Sequence, residues 1–138
     1  MMKRILALLI VCSFFVACHG NGEKVSYSTQ VNIGADVLEN PFIHSVYFWF
    51  KEDVTEAQLA TFYADTEKLR DIEVVKAMYT GKASSTDRPI VERSYDFAVI
   101  VHFEDLAGHD AYQKDPIHLE LLEKHASLWE RVMITDVE

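Results

Sequence analysis

Apolar positions divide the chain into strand-like runs and helical stripes. Phe42–Lys51 is aromatic-rich and β-branched, with His44, Val46, Phe48 and Phe50 on one side and Ser45, Tyr47, Trp49 and Lys51 on the other. Both sides are largely apolar, so both faces of this first strand need covering. Thr55–Arg70 follows with helical spacing: Leu59, Phe62, Tyr63, Thr66 and Leu69 form one stripe, and Thr55 with Gln58 makes a capping box at its start. Val74–Ala83 reads as a second strand, Ser84–Glu92 as a polar loop holding Pro89, and Ser94–Phe103 as a third strand with both faces buried around Phe97-Ala98-Val99-Ile100-Val101. Asp105 is placed to cap a short helix, Leu106–Lys114. Asp115-Pro116 restarts a helix, with Asp at the cap and Pro at the first helical position, and the stripe runs on to Trp129 or Arg131. Val132–Val137 reads as the closing strand.

The order β-α-β-β-α-β predicts an α+β ferredoxin-like sandwich with the helices on one sheet face. The other face, around Tyr47 and Trp49, is then an apolar patch that a monomer rarely exposes. A second copy related by two-fold symmetry is the economical cover, so the sequence predicts a homodimer.

The N-terminal segment follows different rules. Lys3 and Arg4 precede an apolar run of 13 residues, Ile5–Ala17, too short for a hydrocarbon core of ~30 Å at 1.5 Å per residue. A basic start and a short apolar run read as a secretory signal peptide. The run ends in Phe15-Val16-Ala17-Cys18, which resembles the bacterial lipobox, where the cysteine is lipidated and becomes the first residue. The expected organisation is therefore a signal peptide over 1–17, a lipidated tether over 18–40 and a folded domain over 41–138. Val31 and Ile33 alternate within the tether without a sustained period, and a linker is expected there in preference to a short strand. Asn40-Pro41 marks entry to the domain. Cys12 and Cys18 are the two cysteines, so the mature domain carries neither thiol nor disulfide. These features place the protein in the bacterial cell envelope, held to the membrane through lipid on Cys18. Without Asp after the cysteine (His19 stands there), the sorting rule points to the outer membrane.

The 138 residues, 49% hydrophobic and 25% charged, suit one globular domain in the mature chain. Net charge is −9, and loss of Lys3 and Arg4 with the leader leaves 11 basic against 22 acidic residues, a mature charge of −11. Such a surface repels phosphate backbones and argues against nucleic acid as a partner. One short apolar run excludes a polytopic helical membrane protein.

Three motifs carry a resemblance. His44-Ser45-Val46-Tyr47-Phe48-Trp49-Phe50-Lys51 resembles the opening strand of the stress-responsive dimeric α/β-barrel (Dabb) family, and Tyr95-Asp96-Phe97-Ala98-Val99-Ile100-Val101-His102-Phe103-Glu104 resembles its third strand. Tyr112-Gln113-Lys114-Asp115-Pro116-Ile117-His118 is similar to the family's Tyr-x-x-His-Pro-x-His stretch, with Asp115 in place of the first His. The resemblance spans about residues 42–138 and implies a homodimer whose two sheets face each other as a dimeric α/β barrel. One branch, the plant polyketide cyclases, closes a linear polyketide by aldol chemistry without a cofactor. The resemblance puts that branch's catalytic base on His118, its assisting phenol on Tyr112 and its strand histidine on His44. Thr66 stands where that branch carries a further pocket tyrosine.

The residues themselves are compatible with such chemistry. Imidazole titrates near neutrality, so His118 is able to accept a proton at pH 7, and Tyr112 to hydrogen-bond an enolate oxygen. The helix N-terminus disfavours imidazolium at His118. Alternatively, His118 packs the helix start with its ring satisfied by a backbone carbonyl. His118, Leu122, His125 and Trp129 share one stripe, but two turns hold His118 and His125 roughly 10 Å apart, too far for one ion with ~2.1 Å bonds. No metal site and no cofactor, haem included, is expected from this spacing. Asp96 is assigned a backbone bond and no chemistry. Two functions remain: a lipid-anchored module binding a small apolar or aromatic ligand through His44, Tyr112 and His118, or a cofactor-independent cyclase, isomerase or lyase using His118 with Tyr112. A structural role without a pocket is the third.

Overall fold

The computed structural model describes residues 30–33 and 36–138. The expected signal peptide over 1–17 and the expected lipidation at Cys18 lie outside the described residues. Part of the expected linker instead pairs with itself. β1 (Gln30–Ile33) and β2 (Asp36–Glu39) form a two-stranded antiparallel ladder, with Val31 opposite Leu38. The alternation of Val31 and Ile33 was the visible half of this pattern. Asn40 leaves the ladder with φ 53°, a left-handed conformation that asparagine tolerates better than most side chains, and Pro41 leads into the domain.

The domain contains β3 (Phe42–Phe50), α1 (Glu56–Glu67) continued by a 3₁₀ turn (Lys68–Asp71), β4 (Ala77–Gly81), β5 (Phe97–Phe103), α2 (Leu106–Tyr112), α3 (Pro116–His125) and β6 (Trp129–Val137). The sheet is antiparallel in the order β4-β5-β3-β6, with β3 and β5 central. This is the ferredoxin-like α+β arrangement expected from the sequence. Among the described residues no helix is long and apolar enough to cross a membrane.

The caps form as the sequence dictates. Thr55 and Gln58 bond reciprocally, Asp105 accepts from the Gly108 amide at 2.8 Å, and Asp115 accepts from the Ile117 amide at 2.8 Å. The last helix differs from expectation. It stops at His125, and Trp129 belongs to β6, paired with Phe50. A register shift between Trp49 and Phe50 accommodates that pairing. Asp96 serves the same irregularity, its carboxylate accepting from the Phe50 amide at 2.8 Å.

The core lies between the sheet and α1. Phe62 is fully buried, and the rings of Phe48, Phe50 and Phe97 meet it edge-on at 5.4–5.8 Å. Leu69, on the 3₁₀ turn, and Phe103 complete it. Strand alternation puts Tyr79, Ile100, Ile43, Tyr47, Met133 and Val137 on the sheet face away from the helices. Tyr79 and Val137 there are more than half exposed. Trp49 also belongs to that face but is not bare. Its indole N–H donates to Ser94 Oγ at 2.9 Å, and the Arg131 guanidinium lies 4.0 Å over its ring. The apolar patch is therefore centred on Ile100 and Tyr47, away from Trp49.

Candidate functional site

Strands β3, β5 and β6 and helices α1, α2 and α3 surround a cavity of about 140 Å³ between the sheet and the last helix. Its floor is His44, Val46 and Phe48 from β3 with Val99 from β5, and its roof is Thr66, Leu69 and Leu121. Val132 and Ile134 of β6 form the rim with Leu122, and are 41% and 52% exposed. The opening therefore lies between α3 and β6. Trp129 also lines the cavity, from the strand and not from the helix stripe on which the sequence placed it.

The three expected site residues meet at one end. Tyr112 and His118 are six residues apart, and the corner between α2 and α3 brings their rings to 4.5 Å. His44 sits 6.2 Å from the Tyr112 ring. All three line the cavity, and all are at least 93% buried. Burial disfavours the charged form of each. It holds His118 below the usual imidazole range, against the opposing pull of the Gln113 backbone and the Asp115 carboxylate. It pushes the Tyr112 phenol well above its ordinary range. At neutral pH the corner thus presents a neutral imidazole and a neutral phenol. The ring bonds the Gln113 backbone, as the helix-packing alternative expects, while His118 Nδ1 is buried with no hydrogen-bond partner among the described residues.

His44 has a partner the sequence reading missed. Its Nδ1 lies 2.6 Å from Asp136 Oδ1, across the β3–β6 ladder where the two residues are register partners. Burial lowers the His44 pKa and the Asp136 hydrogen bond opposes the shift. Asp136 was legible in principle, since it follows Val132 and Ile134 on the same face of a period-two strand. His109 was missed as well. It lies one turn before Tyr112 on α2, and its ring is 5.0 Å from that of His44. His125 is engaged elsewhere: its Nε2 lies 2.8 Å from Asp65, tying α3 to α1. Thr66, at the position of the absent phenol, is fully buried and donates to the Phe62 carbonyl at 2.8 Å. It offers the cavity little polar chemistry.

Residues 42–138 match the family model described as Stress Responsive A/B Barrel Domain. Olivetolic acid cyclase of Cannabis sativa is 30% identical over 94 residues, covering 67% of this chain and 91% of that protein. A dimeric ferredoxin-like protein of unknown function from Thermobifida fusca superposes with a TM-score of 0.59 at 24% identity, over 70% of this chain and 89% of that one. Hydroxynitrile lyase from Passiflora edulis superposes with a TM-score of 0.59 at 20% identity, over 70% of this chain and 91% of that one. The two structural likenesses concern the fold.

Proposed function

The chain belongs to the stress responsive A/B barrel domain family, and from that premise we propose that it binds a small apolar or aromatic molecule in the cavity between β3, β6 and α3. The observation that carries this reading is an apolar cavity of about 140 Å³ with His44, Tyr112 and His118 gathered at one end. A cavity of ~150 Å³ with aliphatic walls holds a benzene ring. His118, which lines the cavity beside Tyr112, supplies the polar group that would orient such a ring. Trp129 lines the cavity, so titration with substituted phenols and benzoates should change tryptophan fluorescence, and the change should disappear in Trp129→Phe. Saturable binding that leaves Trp129 unaffected would place the ligand elsewhere.

A second reading has its own support. A neutral His118 beside a neutral Tyr112 suits abstraction of a proton next to a carbonyl, with the phenol hydrogen-bonding the enolate oxygen. The relative named as a cyclase favours this chemistry class. Thr66 at the place of the pocket phenol weighs against the same reaction. Exchange of a methyl ketone's α-protons in D₂O, lost in His118→Ala, distinguishes catalysis from binding.

We further propose the setting. The apolar outer sheet face fits a second copy of the chain, and the dimeric neighbour of the same fold supports a homodimer. Phe15-Val16-Ala17-Cys18 supports a lipid anchor on Cys18 after removal of residues 1–17, with the domain from about residue 41 held at the outer membrane of a bacterial envelope.

A further inference from the structure

Behind the cavity wall lies a cluster that shares only His44 with the ligand reading. α2 places His109 on the same side as Tyr112, three residues on. There its ring sits beside His44 and 4.7 Å from the Phe42 ring. Asp136 reaches the same point from β6. One nitrogen of each imidazole and one carboxylate oxygen all lie within 4.8 Å of one another.

His109 is the informative member. Its Nε2 lies 3.0 Å from the Gln113 side-chain amide. Its Nδ1 is buried and makes no hydrogen bond among the described residues. The nearest carboxylate oxygen, on Asp110, is 3.4 Å away, beyond ordinary hydrogen-bonding distance. One nitrogen of the ring is thus held in place by an outer partner while the other is free. With the Gln113 amide turned so that its oxygen accepts from Nε2–H, Nδ1 keeps the lone pair, the state in which metal-binding histidines are held.

We propose that His44, His109 and Asp136 form a binding site for a divalent first-row transition metal ion such as Zn²⁺. Two imidazoles and one carboxylate are a borderline donor set that suits zinc and its neighbours better than Mg²⁺ or Ca²⁺, which favour all-oxygen cages. Three protein ligands leave a coordination position open. The Asp136 carboxylate offsets half of the ion's charge, and Asp110 adds a second negative group nearby. The ion would displace the direct His44–Asp136 hydrogen bond. Of the three ligands only His44 lines the cavity, so the ion site stands whether or not the cavity takes an organic ligand.

The test is titration of the full chain with Zn²⁺ alone by calorimetry, and with Co²⁺ alone by visible absorption, which reports the ligand set. The account expects one ion per chain with nitrogen–oxygen ligand-field bands. His109→Ala, its milder alternative His109→Gln, and Asp136→Asn should each weaken binding by about tenfold or more. His125→Ala removes a histidine paired with Asp65 and should leave binding unchanged, as should Cys18→Ser. No binding, or binding indifferent to both His109 variants and to Asp136→Asn, overturns the proposal. Loss of ion binding in Trp129→Phe would also count against it, since that residue touches only the cavity reading.

Discussion

The Tyr112 ring leans on the His118 ring at 4.5 Å, an encounter created by the corner between α2 and α3. The corner follows from Asp115, which caps the second helix, and from Pro116, which fixes its first turn. Local chain chemistry thus builds the polar end of the cavity. His118→Ala should lower affinity for an aromatic ligand by about tenfold, the worth of one hydrogen bond to a buried group, with little change in melting temperature. Parallel titrations and melts of the two proteins check this. Equal loss of both would mean that the ring only packs the helix start.

Filling the cavity separates binding from folding. Val99 is 3% exposed on the cavity floor. Val99→Phe should abolish ligand binding at a cost in stability of no more than about 1–3 kcal/mol. Fluorescence titration and chemical denaturation report the two quantities independently.

Stability rests elsewhere, on the aromatic core. Phe62 is wholly inaccessible and meets rings from β3 and β5. Phe62→Ala should cost about 3–5 kcal/mol, read from the denaturation midpoint. A loss below 1 kcal/mol would contradict the packing described.

The pH dependence has a definite sign. Burial holds His44, His102 and His118 below the usual imidazole range in the fold. The unfolded chain therefore takes up protons first as pH falls past about 6.5, and stability, fully present above that value, declines towards the lower folded values. Asp65 acts in a different window. Lys124, then Lys68 and His125, hold its carboxyl below the usual carboxylate range, so its contribution is lost only as pH falls below about 4. Melting temperature should drop between pH 7.5 and 5.5, and His118→Gln should flatten that part of the curve. A flat profile in the wild type would contradict the burial of these rings.

The outer sheet face yields a prediction about association. Ile100 lies at its centre, opposite Ser45 on β3 and Tyr79 on β4. Ile100→Glu should convert a dimer to a monomer in light scattering after size exclusion. Trp49→Glu should instead destabilise the chain itself, because Trp49 is already covered by Ser94 and Arg131. A wild-type monomer would remove the two-copy account of this face.

Much of the fold was legible because local signals agreed with each other. The Thr55–Gln58 box, the Asp105 and Asp115 caps and the doubly apolar strands each point to the element that forms. The failure at Trp129 has a physical cause. His125 and Trp129 keep helical spacing, and no glycine or proline marks the stop after His125. What ends the helix is the pairing of Trp129 with Phe50, a contact between residues far apart in sequence. The same limit applies to the site. His44, Tyr112 and His118 announce themselves by motif, whereas Asp136 and His109 become partners of His44 only once β6 and α2 are folded against β3.

Native mass spectrometry of the protein, extracted gently from its own host and released from detergent in the spectrometer, tests the central claim most directly. The account predicts a dimer that retains a small organic molecule, with that added mass lost or much reduced in His118→Ala and in Val99→Phe. A dimer from the host with no retained molecule, which also fails to take up aromatic probes on titration, would contradict it.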